Sequence, residues 1–212
     1  SKHIGEIAWA VRCYAVKHLS ADDETVAFYA DAMKRLRISQ QGLSDKNQTA
    51  MAQFDDPRLV ESFVSLPPRL WDKAGAMSKS ASAPRITKNS QLLAQAAVAI
   101  EILMFAPMRL TNLQCLRLDE HISWQAERMR INIPSQQVKN GQALDFLLPA
   151  SVSKRIKTYI DKWRPHFTSS HNPHLFPGRN GKPKDGTCLR RQIEQTLWNE
   201  AGIRLTPHQF RH

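Results

Sequence analysis

The end of the sequence carries a histidine and an arginine whose spacing suits work on a phosphate. His208 and Arg211 are three residues apart in the segment Thr-Pro-His-Gln-Phe-Arg-His (206–212). Thr206 and Gln209 have the types and spacing of a capping box, with a proline at the first helical position, so we expect a helix to begin here. The spacing places His208 and Arg211 on one helix face. The free N–H groups of a first turn favour a bound phosphate and a neutral imidazole that exchanges protons.

A third candidate, Arg109, lies between two predicted helices. The apolar run over 90–105 predicts a buried helix that Pro107 ends, and Thr111 is a suitable N-cap for the next helix. An arginine in such a tight connection is held by rigid elements and suits bidentate binding of a phosphate. On this segment alone, a surface arginine that closes a helix end is an equally good interpretation.

Lys139 precedes the predicted turn of a β-hairpin. Apolar and polar residues alternate over 128–133, which predicts a strand, and residues 144–148 supply the return strand. Between them, Asn140-Gly141 is a strong hairpin turn signal. A lysine at a hairpin tip is long enough to reach into a neighbouring site. Taken alone, a solvated turn residue is the commoner interpretation.

Together these residues resemble the active-site constellation of the tyrosine recombinase (phage integrase) family. The order in that family is an arginine, a lysine in a β-hairpin and a His-x-x-Arg motif. Arg109 with the following Leu-Thr-Asn-Leu-Gln-Cys-Leu-Arg-Leu resembles the first family box, and 205–212 resembles the start of the second. Residues 174–183 are similar to the loop before the second box. The resemblance is best over 90–212.

The resemblance implies a site-specific recombinase that cuts and rejoins duplex DNA through a phosphotyrosyl intermediate, without a metal or other cofactor. Arg109 and Arg211 would stabilise charge on the phosphate in the transition state. Lys139 would act as the general acid, and His208 would assist proton transfer.

Two features depart from the family pattern. Asn112 stands where many members carry a glutamate, which leaves the support of Arg109 open. No tyrosine follows the second box, since Tyr14, Tyr29 and Tyr159 all lie upstream of it. We therefore expect a truncated chain that lacks the nucleophile and binds DNA without cleaving it.

The charge balance favours a polyanionic partner. Thirty Lys and Arg residues stand against nineteen Asp and Glu, a formal net charge of +11. Each basic side chain on a phosphate releases condensed counterions. We predict double-stranded DNA as the partner, with Lys88, Arg190 and Arg191 as further contacts. For the predicted exposed loop around Lys88 (77–89), a solvated surface segment is at least as good an interpretation.

The remaining composition indicates a cytoplasmic protein. The three cysteines are far apart and form no CxxC pair, which argues against disulfides. His171 and His174 have no cysteine pair at finger spacing, so we predict no metal site. The longest apolar stretch, 96–108, is too short to span a bilayer. We expect a nucleoid-associated protein of a bacterium or phage, without membrane contact. The resemblance implies a homotetramer on DNA for the full-length protein and leaves a monomer open for this chain.

The overall pattern predicts a mainly α-helical protein with a small antiparallel β-sheet, an α+β fold like that of the tyrosine recombinase catalytic domain. Residues 4–37 predict two helices, and by resemblance residues 1–45 are the tail of a helical core-binding domain with its linker. Residues 46–212 are predicted to be the truncated catalytic domain. Its further predicted helices cover 57–65, stopped by Pro67-Pro68, and 152–163. A last helix carries Leu189, Ile193 and Leu197 and is capped by Gly202.

Two other functions stay open. A non-catalytic DNA-binding regulator derived from the same fold would lack the tyrosine in its intact gene product as well. A helical RNA-binding or ribosome-associated protein is suggested by the charge alone. Competition between duplex DNA and RNA at fixed salt would separate the second alternative from the recombinase.

Overall fold

The computed structural model describes residues 10–17, 21–36, 44–79, 86–168 and 171–211. The chain divides into two compact units, Ser1–Asp45 and Lys46–His212. The assignment of the first unit to a core-binding domain stays a prediction. Most of its predicted linker falls on 37–43, outside the described residues.

The first unit contains the two predicted helices, α1 (residues 10–17) and α2 (Asp23–Leu36). Asp22 precedes α2 and its carboxylate accepts the N–H of Thr25 at 2.8 Å. Hydrogen bonds from the side chain and the backbone N–H of Thr25 hold the pKa of Asp22 below its ordinary value. The carboxylate therefore stabilises the start of α2, where N–H groups have no intrahelical acceptor.

The second unit combines helices with one three-stranded antiparallel sheet of order β1-β2-β3. Its main elements are α3 (Asp45–Ala52), α4 (Pro57–Val64), α5 (Leu66–Lys79), α6 (Lys88–Phe105), α7 (Leu110–Gln114), β1 (Ile122–Gln125), β2 (Arg128–Ile133), β3 (Leu144–Leu147), α8 (Ala150–Thr158) and α9 (Gly186–Ala201). A π-helical turn, Tyr159–Trp163, extends α8. The predicted fold class, mainly helical with a small antiparallel sheet, is confirmed. None of the helices in the described ranges combines the length and hydropathy needed to cross a bilayer.

Helix α6 is the central element of the core. Thr87 caps it through a reciprocal capping box with Ser90, which starts the helix two residues before the predicted position. Every side chain over 94–103 is buried. A helix that is apolar on all sides must be covered on all sides, and α5, α8, the π-helical turn and α9 pack around it.

Two polar side chains of α6 are buried with partners. Glu101 binds the guanidinium of Arg155, and this hydrogen bonding raises the pKa of Arg155. Gln95 donates to the hydroxyl of Tyr159 at 3.1 Å. Because an unpaired buried charge or amide is costly, these contacts fix how α8 and the π-helical turn pack on α6.

The sheet confirms the alternation seen in the sequence. Met129, Ile131 and Ile133 of β2 are buried, while Arg128 and Asn132 are exposed. Strand β1 was not predicted. It lies at the sheet edge and its side chains are mostly exposed, so it carries no apolar alternation and is held by backbone pairing with β2.

The predicted helix over 57–65 is confirmed as α4, with Ser65 as its C-cap. Pro67 and Pro68 are not what ends it, because they lie in the first turn of α5, where a missing N–H removes no intrahelical bond. Two other predicted boundaries were wrong. Residues 77–79, predicted as loop, continue α5, and 80–85 lie outside the described residues. Thr111 is not an N-cap, because Arg109 has the extended backbone of that position and α7 begins at Leu110.

Candidate functional site

Arg109 lies at the junction of α6 and α7 and is half-buried. Its Nη1 lies 3.4 Å from the Oδ1 of Asn140, in the connection between β2 and β3. The contact is long and exposed, so it contributes little stability and serves to orient the guanidinium. The structure thus brings Arg109 beside the turn that carries Lys139.

Lys139 and Asn140 are the two central residues of that turn, which the N–H of Gly141 closes on the carbonyl of Val138 at 2.8 Å. Gly141 has φ +68, a conformation that favours glycine. The sequence predicted Asn140 and Gly141 as the central residues of the turn, which is one position too far along the chain. The β2–β3 connection is longer than a two-residue hairpin and includes a 3₁₀ turn over 135–137. Val138 is buried and Lys139 is exposed, so the turn is anchored while the ammonium faces solvent.

His121 is a buried residue that connects the end of the first box to this turn. Its Nδ1 accepts the backbone N–H of Arg117 at 3.0 Å, so the ring proton lies on Nε2. Nε2 lies 2.8 Å from Oε1 of Gln137 and donates to it. Gln137 in turn donates to Glu120. His121 therefore holds the segment just before Lys139, a role for which the sequence carried no motif.

Asn112 of α7 is buried, and its Nδ2 has no acceptor within the described part of the chain. No hydrogen bond of the described residues joins its amide to Arg109. An unsatisfied buried N–H costs about 1–3 kcal/mol. Among the described residues, the structure therefore shows no hydrogen-bonded support of Arg109 by this amide, a point that the sequence left open.

His208 and Arg211 lie together in one short turn. The N–H of Arg211 donates to the carbonyl of His208 at 3.3 Å, and both side chains are exposed. Up to Arg211 the segment is a turn followed by 3₁₀ helix over 209–211, not the predicted α-helix. The capping box is half formed: Gln209 Oε1 accepts the Thr206 N–H at 2.8 Å, but Thr206 Oγ1 donates to the same oxygen.

This segment is anchored on α3 and α4. Gln209 Nε2 lies 3.4 Å from Asn47 Oδ1, and the rings of Phe210 and Phe63 are 5.7 Å apart. Leu205 is buried in the core cluster that also contains α7. Arg109 and the His208 turn thus extend from elements packed on one core, and their convergence on one phosphate belongs to the proposal below.

Two of the three predicted DNA contacts line one groove between α6 and α9. Lys88 and Arg191 lie along a cavity of about 700 Å³, together with Arg179 and Lys184, which were not predicted from the sequence as DNA contacts. Arg190 is outside it and pairs with Glu194 at 2.7 Å. Exposed pairs of this spacing contribute about 0.3–0.5 kcal/mol. Arg179 and Lys184 match no sequence motif, so only the folded structure identifies them as part of this groove.

His174 and Tyr159 are two further residues of chemically active types, and in the structure their side chains have structural roles. His174 Nδ1 lies 3.0 Å from Asn172 Oδ1. Its pKa is lowered by burial and by the nearby charge of Arg117. Within the described ranges, no group of three or more His, Cys, Asp or Glu residues lies close enough to hold a metal ion. Tyr159 is fully buried, and burial raises its pKa. Its hydroxyl is therefore inaccessible to a DNA phosphate.

Comparison with known proteins gives a family match over much of the chain. The profile of the Phage integrase family matches residues 80–212. No curated protein sequence matches.

Solved structures give the fold. The XerH site-specific recombinase bound to its palindromic difH substrate, a post-cleavage complex, aligns with 74% of this chain at 21% identity and a TM-score of 0.50. Its pre-cleavage complex with difH substrate gives a TM-score of 0.51, with 21% identity over 74% of this chain. The alignments cover 39% of the XerH chains. XerA recombinase aligns with 98% of this chain and 66% of its own, at 16% identity and a TM-score of 0.42.

Proposed function

Because the chain belongs to the phage integrase family, we propose that it is part of a site-specific recombinase that cuts and rejoins duplex DNA through a phosphotyrosyl intermediate. The observation that best supports this is the contact between Arg109 and Asn140. It pairs an arginine of the first family box with the turn of the hairpin lysine, although 31 positions separate the two residues. Two cations of the expected types thus share one neighbourhood.

The proposed chemistry assigns one task to each side chain. A tyrosine hydroxyl attacks the phosphorus of a phosphodiester, and the bond to the 5′ oxygen breaks. Arg109 and Arg211 donate hydrogen bonds to the non-bridging oxygens, where negative charge increases in the transition state. Lys139 gives a proton to the departing 5′ oxygen, and His208 assists proton transfer. Because the phosphotyrosyl link conserves the ester, these steps use no metal and no nucleotide cofactor.

The 212-residue chain is proposed to bind DNA without cleaving it. In the sequence, Tyr159 is the single tyrosine of residues 46–212, and its side chain is fully buried. It donates toward the carbonyl of Leu175 and accepts from Gln95, so a DNA phosphate cannot reach it. Lys88, Arg190 and Arg191 are proposed as additional backbone contacts. The full-length protein is proposed to act in the cytoplasm as a homotetramer on DNA.

A nicked suicide duplex tests the proposal. The 212-residue chain should shift the duplex in a gel but give no covalent adduct after denaturation. A longer product of the same gene should give the adduct, and Arg109→Ala in it should reduce the trapping rate by about a hundredfold or more. The matched control is Arg58→Ala, since this arginine side chain is 89% exposed on α4 and pairs with Asp56. An adduct with the 212-residue chain, or an Arg109→Ala trapping rate close to that of its parent, contradicts the proposed roles.

A non-catalytic DNA-binding regulator is the second candidate. The unsatisfied amide of Asn112, at a position where the family commonly has glutamate, is the observation that favours it. In that case the longer gene product binds duplex DNA and gives no adduct. The same trapping experiment therefore separates the two candidates.

A further inference from the structure

A basic groove lies between α6, α9 and the loop that precedes α9. Two adjoining cavities, of about 660 and 700 Å³, share Lys88, Leu92, Arg179 and Lys184 along their walls. Arg191 lines the second cavity. We call the surface formed by these four basic residues the Lys184 groove. Its walls do not include Arg109, Lys139, His208 or Arg211, so it is distinct from the residues proposed for catalysis.

The acidic side chain of the groove is already neutralised. Within the described residues, Glu200 is the one carboxylate that lines either cavity. Its two oxygens bind Lys73 Nζ at 2.7 and 2.8 Å. The four cations of the groove therefore face no uncompensated negative charge along its walls.

Backbone hydrogen bonds within the loop before α9 fix the positions from which the side chains of Arg179 and Lys184 extend. Gly178 N–H donates to Lys182 O at 2.9 Å, and Lys184 N–H donates to Phe176 O at 2.8 Å. A Cβ at Gly178 would lie 2.3 Å from the carbonyl oxygen of Pro183. The close approach of the two strands of this loop therefore requires glycine. Arg179 and Lys184 extend from a tightly closed loop.

Lys184 itself is held by neutral groups. Its Nζ donates to Gln95 Oε1 at 2.5 Å and to Gln192 Oε1. Gln192 also donates to the Leu92 carbonyl at 2.7 Å, which fixes the amide. Nζ forms no ion pair with a carboxylate of the described residues. Burial lowers the pKa of Lys184 to about 8, against a smaller opposing effect of the nearby Cys188.

The position of Lys184 is unfavourable for the stability of the folded chain and therefore indicates another role for this side chain. Lys184 is half-buried with only neutral hydrogen-bond partners in the described part of the chain, and desolvation penalises its ammonium. Three further cations line the same groove as Lys184, namely Lys88, Arg179 and Arg191. An anion bound in the groove would supply the missing counter-charge to all four.

We propose that the Lys184 groove is a second phosphate-binding site, which holds the backbone of duplex DNA through Lys184, Arg179, Lys88 and Arg191. The inference rests on the proposed function and extends it to residues that the active-site motifs do not include. An open groove with several cations along it suits a polyanion with repeated phosphates better than a single small anion. Backbone contacts of this kind position a duplex and carry no base sequence. The groove should therefore act equally on specific and non-specific DNA.

Salt-dependent binding tests the inference directly. The dissociation constant of the chain for a fluorescent duplex is measured at several salt concentrations. Lys184→Met should weaken binding about threefold to tenfold and reduce the slope of log K against log salt by about one. Arg179→Gln, an exposed residue of the same groove, should do the same. The matched control is Lys182→Met, because Lys182 lies in the same loop, is exposed and lines neither cavity.

A chemical readout locates the contact. Brief acetylation near pH 8, followed by mass spectrometry, should modify Lys184 in the free chain. Duplex DNA should protect it, and the same phosphate concentration supplied as inorganic phosphate should not. Protection by inorganic phosphate alone would overturn the DNA assignment in favour of a small-anion site.

The outcomes separate the two proposals. If the unmodified chain binds no duplex DNA, the proposed function fails. If it binds, and both Lys184→Met and Arg179→Gln keep the parental affinity and salt slope while thermal unfolding shows them folded, the Lys184 groove alone is refuted.

Discussion

The guanidinium of Arg109 lies 3.4 Å from the side-chain oxygen of Asn140 and thereby joins the α6–α7 junction to the turn of Lys139. Asn140 also donates to Gln142 at 3.2 Å. The contact orients the arginine in the free chain, and ordering a long side chain in advance would lower the entropic cost of binding the proposed DNA.

Asn140→Ala should weaken duplex binding about twofold to fivefold, because the loss of an exposed hydrogen bond costs about 0.5–1 kcal/mol. Fluorescence anisotropy with a labelled duplex measures the change. Gln142→Ala is the control, since Gln142 contacts Asn140 and not Arg109. An Asn140→Ala chain that binds as tightly as its parent would show that the contact does not order Arg109.

His121→Ala should lower the free energy of unfolding by about 2–4 kcal/mol, from two buried hydrogen bonds and the cavity left behind. Urea unfolding measures it. His121→Gln should recover part of the loss, because an amide can both accept from Arg117 and donate to Gln137. The exposed His166 supplies the control, as His166→Ala should change stability by less than about 0.5 kcal/mol. Equal stability of the two alanine variants would show that His121 does not hold the segment before Lys139.

Two buried asparagines provide a matched pair. Asn112→Leu should leave stability unchanged or raise it by about 1 kcal/mol, because it removes an unsatisfied N–H. Asn172→Leu should lower stability by about 2–3 kcal/mol, since the Asn172 amide bonds to Lys182 O at 2.9 Å and to His174 N at 3.0 Å. Thermal or urea unfolding compares them. A loss at Asn112 as large as at Asn172 would mean that the Asn112 amide has a partner.

Two glycines should respond to alanine in opposite directions. Gly178→Ala should destabilise the second unit by more than about 1 kcal/mol, because the new Cβ would clash with the Pro183 carbonyl at 2.3 Å. Gly75→Ala should stabilise it by about 0.5–1 kcal/mol, as Gly75 lies inside α5 with nothing within 4 Å of a Cβ. Differential scanning calorimetry measures both. A stabilised Gly178→Ala chain would contradict the closed loop.

Duplex binding should depend on pH through Lys184. The pKa of Lys184 in the free chain is about 8, and a bound phosphate raises it because it favours the ammonium. Between the free and bound pKa values, the complex holds a proton that the free chain has lost. Affinity should therefore fall as pH rises above about 8, with at most one proton linked to binding at this site.

The comparison of parent and Lys184→Met isolates this dependence. Other titratable groups that line the two cavities are His166, Cys188, Glu200, Lys88, Arg179 and Arg191. They are common to both chains, so the difference in slope of log K against pH above pH 8 belongs to Lys184. Identical slopes would show that its ammonium does not contact the DNA.

Elements with a strong local pattern were predictable. The apolar run of α6, the alternation of β2 and the Gly202 cap of α9 each follow from a few neighbouring residues, and the structure confirms them. Prediction failed where the local sequence had no periodic pattern or was compatible with two different structures. Strand β1 has exposed side chains and exists because its backbone pairs with β2, and the prolines of α5 serve equally well to end one helix or begin the next.

The sequence by itself determined the basic charge, the residue types of the core, and the order of the arginine, the hairpin lysine and the His-x-x-Arg motif. Each of these follows from composition or from the spacing of neighbouring residues. Only the tertiary structure decided that Arg109 contacts Asn140, that His121 holds the segment before Lys139, and that the half-buried Lys184 has amide oxygens as its partners. These contacts join residues 16 to 89 positions apart. They depend on how α6, α9 and the sheet pack around one core, and no local period in the chain encodes that packing.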